Sequence, residues 1–259
     1  VAQLLYRTAL VTGATSGFGW AIAHALTTLG IQVTAIGRRA ERLAELAELS
    51  PLIRPVQLDV TDSKALQQLA DSLIGTEFEP QLLVNNAGAA LGLSPSHQAE
   101  LSDWQQMIEL NISSLVEVTR LFLPSLVERN YGFIINIGSV AGSYSYPGGN
   151  VYGATKAFVA HFSDNLRSDL LGTKVKVCCL EPGLAKTEFS LVRFAGDEAR
   201  ASSVYSGSEP LVAEDIAGIV NWLVSLPPHV NVNSLEVMPV CQAWGPFAVA
   251  RSEVHGKTS

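Results

Sequence analysis

The chain has 259 residues, of which 47% are apolar and 16% charged, and its formal net charge is −7. That length and apolar content suit one large α/β domain rather than two small ones, and the negative balance argues against a nucleic-acid partner, which needs a basic face. No basic amphipathic stretch suggests a membrane surface, and no apolar run approaches the length needed to span a bilayer.

The first residues pass almost at once into a strand-like run, Thr8-Ala9-Leu10-Val11, without the charged head, apolar centre and cleavage site of a signal peptide. The strands predicted in chain order are Ala9–Thr12, Gln32–Ile36, Arg54–Leu58, Gln81–Asn85, Gly132–Ile137, Lys174–Leu180 and Ser234–Pro239. Between most of them lie amphipathic stretches read as helices: Gly17–Leu29, Ala40–Leu49, Ser63–Ile74, Asp103–Arg129, Val151–Leu171 and Ala213–Leu226. This alternation predicts βαβ units and a parallel sheet. Runs such as Phe133-Ile134-Ile135 are apolar throughout, as expected of strands covered by helices on both sides. With no internal repeat and no linker, the expectation is a single doubly wound, Rossmann-like domain over 1–259. Gly183 to Pro210 is long, polar and Gly/Ser-bearing, and reads as a mobile lid at about 184–210. The tail from about residue 240 has no clear period. Cys178 and Cys179 are adjacent and Cys241 is remote, which is neither a disulfide framework nor a metal spacing. No metal is expected, and a reduced, cytoplasmic protein is the simple reading.

The first strand enters Thr12-Gly13-Ala14-Thr15-Ser16-Gly17-Phe18-Gly19, and a helix follows. Gly13 permits a tight turn, Gly17 lets the backbone approach a pyrophosphate, and Gly19 lets the helix pack on the strand. The phosphates then meet the open amides and positive dipole end of the helix. Thr15, Ser16 and Phe18 belong to the same contact surface. An ordinary glycine-rich βα turn is the alternative; the position after the first strand favours the nucleotide. The second strand ends in Gly37-Arg38-Arg39, where an acidic residue would hold the 2′-hydroxyl of NAD. Two arginines instead suit the 2′-phosphate of NADP, or else form a solvated helix start with Arg42. Asp59-Val60 follows the third strand. Asp59 either accepts a bond from the adenine amino group or serves the turn.

Tyr152 and Lys156 are four apart on a predicted helix and share a face. A nearby ammonium is expected to lower the tyrosine pKa, and Lys156 also suits the nicotinamide ribose hydroxyls. Ser139 lies just past an apolar strand, where its hydroxyl would polarise a substrate oxygen. A tyrosine proton plus a nicotinamide hydride gives carbonyl reduction, and the reverse gives alcohol oxidation. Alone, Tyr-x-x-x-Lys is weak, because most such pairs decorate surface helices.

In these residues the chain resembles the short-chain dehydrogenase/reductase family over almost its whole length. Asn85-Asn86-Ala87-Gly88 is similar to the family motif that steadies the sheet and borders the adenine ribose. Asn111, Ser139, Tyr152 and Lys156 match the catalytic tetrad, in which Asn111 holds a water in a proton relay. Pro182-Gly183-Leu184 resembles the turn flanking the nicotinamide, and Thr187 the anchor of its carboxamide. A narrower likeness, through Gly148–Phe158, Glu181–Leu184, Thr187–Ser190 and Val192-Arg193-Phe194, is to NADP-dependent 3-hydroxy acid, serine and L-allo-threonine dehydrogenases and malonic semialdehyde reductases. That group usually has Val-Gly-Gly before Thr-Glu-Phe. This chain has Ala185-Lys186, a lid one residue shorter with an added cation, and an unfamiliar tail at Trp244-Gly245-Pro246-Phe247.

The resemblance implies a short aldehyde or ketone bearing an acid group, with NADP(H) as cofactor and a homotetrameric assembly. Arg193 is the candidate handle for the acid, assisted by Lys186 or by Arg251 from a neighbouring subunit. Tyr146 and Asn150 are further candidates for substrate contact, and Tyr144 either walls the pocket or packs. A guanidinium fits carboxylate and sulfonate alike, so sulfoacetaldehyde reduction to isethionate is the alternative. The rival from another class is an NADP-binding sensor or scaffold without turnover, and a complete tetrad speaks against it. A nucleotide-sugar epimerase needs a larger carboxyl-terminal domain than this length allows.

Overall fold

Leu10 and Val11 are neighbours in one strand and point to opposite sides of a sheet, Leu10 into one apolar cluster and Val11 into the other. The same division recurs along the central strands and gives two cores. The computed structural model describes residues 5–245 and residue 249. Its strands are β1 (Thr8–Val11), β2 (Gln32–Gly37), β3 (Ile53–Gln57), β4 (Leu82–Asn85), β5 (Gly132–Ile137), β6 (Val175–Pro182) and β7 (Ser234–Val237). They form a single parallel sheet in the order β3-β2-β1-β4-β5-β6-β7. The order reverses between β1 and β4, and a crevice opens there beyond their carboxyl ends. β1, β4, β5 and β6 are buried along their whole length, which accounts for their largely apolar sequences. β3 tolerates Pro55 because it is an edge strand.

The helices are α1 (Gly17–Thr28), α2 (Ala40–Glu48), α3 (Ser63–Leu73), α4 (Leu101–Ile108), α5 (Ser114–Glu128), α6 (Asn150–Asp169), α7 (Phe189–Arg193), α8 (Glu198–Ser203) and α9 (Ala213–Ser225). On one side of the sheet, α1 and α9 contribute Ile22, Leu26, Ile216, Val220 and Leu223 to the core. On the other, α3, α5 and α6 contribute Leu66, Phe122, Leu126 and Leu166.

Two expectations are corrected. The helix read as Asp103–Arg129 starts two residues earlier and contains one wide turn, Glu109–Ser113, in which the Ser114 amide reaches back to the Glu109 carbonyl. Second, this Leu101–Glu128 segment is long and apolar enough to cross a bilayer by length and composition. It is instead a core helix, with Leu115, Val118, Phe122 and Leu126 buried against the protein. The 184–210 segment carries α7 and α8. Elsewhere β6 extends two residues further, to Pro182, and β7 ends two earlier, at Val237, where pairing with its neighbour begins and stops.

Buried amides tie the centre of the sheet. Asn85 Nδ2 donates to Thr119 Oγ1 (2.9 Å) and to Asn136 Oδ1 (2.8 Å), and Asn136 Nδ2 donates to Ser163 Oγ (2.9 Å).

Candidate active site

The crevice holds a cleft of about 380 Å³. Gly13 and Gly17 both lie in left-handed backbone conformation, at φ +66° and +51°. A side chain on Gly13 would put its Cβ 2.9 Å from Ala87 Cα; one on Gly19 would lie 2.3 Å from the Gly13 carbonyl oxygen. Gly19 therefore serves helix packing and does not line the cleft, whereas Gly13, Thr15, Ser16, Gly17 and Phe18 do. Ser16 precedes α1 without a side-chain cap, so the first amides of the helix are left for another acceptor. The Thr12 hydroxyl accepts from the Asn86 and Ala87 amides at 3.0 Å each, and Asn86 Nδ2 donates to the Thr12 carbonyl at 2.9 Å. These bonds fasten the turn after β4 to the turn after β1, and Asn86, Ala87 and Gly88 join the cleft wall. An uncapped helix start behind a turn with glycines at 13 and 17 fits a dinucleotide's diphosphate.

Arg38, Arg39, Asp59 and Val60 line the far end of the cleft. The arginines differ. The Arg38 side chain is 70% exposed and meets Asp59 Oδ2 only at 3.8 Å. Arg39 places Nη1 3.0 Å from Glu188 Oε2 and donates from Nη2 to the Thr15 carbonyl at 2.9 Å. Asp59 Oδ1 accepts from the amide and hydroxyl of Thr61, at 3.0 and 2.9 Å, so one oxygen serves the turn. An exposed guanidinium at this end suits a cofactor phosphate.

The proposed tetrad converges at the other end. Ser139, Tyr152 and Lys156 line the cleft, and Ser139 Oγ accepts from the Ala141 amide at 3.1 Å. Lys156 Nζ donates to the Ile137 carbonyl at 2.7 Å, and burial lowers its pKa to about 8. The expectation that Tyr152 is acidified is corrected. Burial pushes its pKa up to about 12, while the Ser139 hydroxyl and the Arg193 guanidinium pull weakly the other way. Asn111 sits in the wide turn before α5, fully buried. Its side chain is engaged: Oδ1 accepts from the Ala89 amide (2.9 Å), and Nδ2 donates to the Ala89 carbonyl (2.9 Å) and Thr155 Oγ1 (3.0 Å).

The 184–210 segment lies over the cleft. Its two roots are paired: the Leu211 amide donates to the Leu184 carbonyl (2.9 Å) and the Lys186 amide to the Leu211 carbonyl (2.8 Å). Pro182, Gly183 and Thr187 line the cleft; Leu184 does not, its amide donating to Gln242 Oε1 at 2.6 Å. A Cβ on Gly17 would come within 3.3 Å of Thr187 Cβ, so the segment rests on the glycine turn. The Phe189 ring centroid is 5.5 Å from that of Tyr152. Arg193, at the end of α7, donates from Nη2 to the Tyr146 hydroxyl at 2.6 Å and from Nε to the Gly92 carbonyl at 3.2 Å. Tyr146, Arg193 and Tyr152 are thus gathered together.

Asn150 is not brought to the cleft. Its Nδ2 donates to the Ser94 carbonyl at 3.3 Å and its Oδ1 accepts from the Val151 amide, which turns it into a separate small cavity beside Trp104. Tyr144 packs edge-on against Trp244 and donates to Glu236 Oε1 at 3.3 Å. Lys186 is exposed and away from the cleft. Arg251, Pro246 and Phe247 lie outside the described residues.

Sequence reasoning missed Glu188, Phe189 and Val192 as cleft residues, and Gln242 as the acceptor that caps Leu184. Glu188 and Phe189 stand inside a quoted motif, so the signal was present without a geometry. For Gln242 no local signal exists, since its partner is 58 positions away.

A model of the short chain dehydrogenase family matches residues 7–196. The chain is 51% identical over 244 residues to the NADP-dependent 3-hydroxy acid dehydrogenase YdfG of Escherichia coli (strain K12), covering 93% of this chain and 98% of that protein. It is also 51% identical over 246 residues to sulfoacetaldehyde reductase 2 of Chromohalobacter salexigens, covering 93% and 98%. Among solved structures, the closed form of a serine dehydrogenase complexed with NADP+ superposes with a TM-score of 0.90 at 50% identity, over 95% of this chain and 100% of that one.

Proposed function

The chain belongs to the short-chain dehydrogenase/reductase family, and on that premise we propose that it interconverts a short acid-bearing aldehyde or ketone with the corresponding hydroxy acid, using NADP(H). The observation that carries the substrate class is the convergence of Arg193 on Tyr152 and Tyr146, which puts a cation beside the proposed proton donor.

The cofactor, when bound, supplies or accepts the hydride at the carbonyl carbon. Ser139 donates a hydrogen bond to the carbonyl oxygen and holds it against Tyr152. The Tyr152 hydroxyl gives its proton to that oxygen as the hydroxy product forms. Its high pKa keeps it protonated at neutral pH, ready to act as an acid in reduction. Lys156 Nζ is fixed on the Ile137 carbonyl; it would hold the ribose hydroxyls of a bound cofactor and steady the charge left on the phenolic oxygen. Asn111 fastens the wide turn to Ala89 and Thr155, and the proton relay that the family likeness implies would pass beside it. Arg193 takes the substrate's acid group, and the 184–210 segment acts as the lid that carries it. Phe189 and Val192 exclude water.

The same reading makes the chain one domain over 1–259, a homotetramer and a cytoplasmic protein. Free, buried Cys178 and Cys179 support a reducing compartment. Exposed Leu101, Ile108 and Phe158 support a subunit contact along α4 to α6. The second reading, reduction of sulfoacetaldehyde, rests on the same guanidinium, because a planar fork accepts a sulfonate equally. An NADPH-oxidation screen over short aldehydes bearing carboxylate, sulfonate or no charge tests both. Preference for the uncharged members would sink the acid-bearing class.

A further inference from the structure

We propose that the two arginines after β2 divide their work. Arg38 discriminates the 2′-phosphate, and Arg39 is a positioning residue that holds the lid in place through Glu188. The assignment of Arg38 rests on the NADP reading above; that of Arg39 does not.

The geometry separates them. Arg39 ties both terminal nitrogens to protein groups: Nη1 to Glu188 Oε2 at 3.0 Å and Nη2 to the Thr15 carbonyl at 2.9 Å. Each nitrogen keeps a second N–H, but a phosphate on this fork would compete for a guanidinium already oriented from both ends by protein groups. Arg38 holds no comparable partner, since its closest carboxylate oxygen is 3.8 Å away and the side chain stays 70% exposed. Sequence alone makes the pair equivalent.

Arg39 is mounted on the frame. It is the residue before α2, a helix anchored in the core by Leu43 and Leu46. Glu188 is the residue before α7, a helix of five residues that ends at Arg193. So short a helix moves as one body. Whatever fixes Glu188 therefore also fixes Phe189 against the Tyr152 ring and Arg193 beside it. Thr187, one residue earlier, already rests on Gly17. The Arg39–Glu188 pair thus closes a bridge from the β2 end of the sheet, over the cleft, to the side chains that face the substrate. Both partners are about two-fifths exposed, at 40% and 43%, so the bridge has the strength of a surface ion pair and can open for cofactor entry.

The test compares Arg38→Gln, Arg39→Gln, Glu188→Gln and the charge exchange Arg39→Glu/Glu188→Arg in the full chain. Two quantities are read: amide hydrogen exchange over residues 184–204 without cofactor, and dissociation constants for NADPH and NADH by fluorescence titration. Arg38→Gln is expected to weaken NADPH at least about tenfold, with NADH binding and lid exchange unchanged. Arg39→Gln and Glu188→Gln are each expected to speed lid exchange about threefold while shifting NADPH and NADH by one common factor. The charge exchange is expected to recover lid protection. Lid exchange that stays at the wild-type rate in both single variants overturns the proposal. So does a loss in Arg39→Gln confined to NADPH, which would make Arg39 a phosphate ligand. A wild-type chain that binds NADH as tightly as NADPH would overturn the cofactor reading and the Arg38 assignment, while the exchange data still decide Arg39.

Discussion

The guanidinium carbon of Arg193 lies 5.5 Å from the centre of the Tyr152 ring, and its Nη2 is hydrogen-bonded to the Tyr146 hydroxyl at 2.6 Å. On the proposed reading the proton donor and the acid handle are therefore one contact apart, and a substrate gripped by both would carry its acid group close to its carbonyl.

Replacing Arg193 by Met keeps the bulk and removes the charge. The expected result is a loss of at least about tenfold in kcat/KM on acid-bearing aldehydes and little change on uncharged ones of equal length, because a charge-assisted bond contributes roughly 1.5–3 kcal/mol. Equal losses on both sets would show that Arg193 only braces Tyr146.

Tyr152→Phe deletes one oxygen and leaves the ring packed on Phe189. Single-turnover NADPH oxidation should fall at least about a hundredfold, while NADPH affinity stays near that of the wild type. Turnover close to normal would remove Tyr152 from the role of proton donor.

Burial places the Lys156 pKa at about 8, below its ordinary 10.5. The unfolded chain then binds more protons than the folded one between those values, so this group makes stability rise with pH through that window. Below pH 8 its cost is constant. Lys156→Met should therefore lose ground against the wild type as pH goes from 8 to 10.5, by up to about 3 kcal/mol in unfolding free energy. Lys176, also lowered by burial, is common to both proteins and cancels in the difference. Denaturant titrations at pH 7.5 and 10 that give the same difference would refute the shift.

Two glycines predict opposite signs. Gly19→Ala puts a Cβ 2.3 Å from the Gly13 carbonyl and 2.4 Å from Asn86 Nδ2, and should destabilise by about 1–3 kcal/mol or more. Gly218, exposed within α9, has nothing within 4 Å of its would-be Cβ, and Gly218→Ala should stabilise by roughly 0.4–1 kcal/mol. Thermal unfolding of both variants checks the pair.

The frame was legible because its signals are local. A strand running into Gly13-Ala14-Thr15-Ser16-Gly17 announces both a turn and the helix that follows, and apolar runs such as Phe133–Ile137 announce their own burial. The spacing of Tyr152 and Lys156 placed them on one helix face, and the glycine turn upstream, not the spacing, singled them out. What remained hidden depends on contacts distant in sequence. The wide turn at Asn111 has no compositional mark. The acidity of Tyr152 was misjudged because a ring's desolvation is set by its neighbours, Phe189 among them, and outweighs the Ser139 hydrogen bond and the Arg193 cation. Asn150 was misplaced because its amide found the Ser94 carbonyl, 56 positions away. Arg38 and Arg39 looked alike until Glu188, 149 positions on, took one of them.

The pairing of Leu184 and Lys186 with Leu211 has an evolutionary corollary. A loop whose two ends are stapled to each other can gain or lose residues without disturbing the sheet beneath it, and even doubling its length costs only about 0.6 kcal/mol of closure entropy. Divergence in what such proteins accept is then cheap to explore between Lys186 and Leu211: residues gained or lost there alter the reach of the arch and leave its footings where they were.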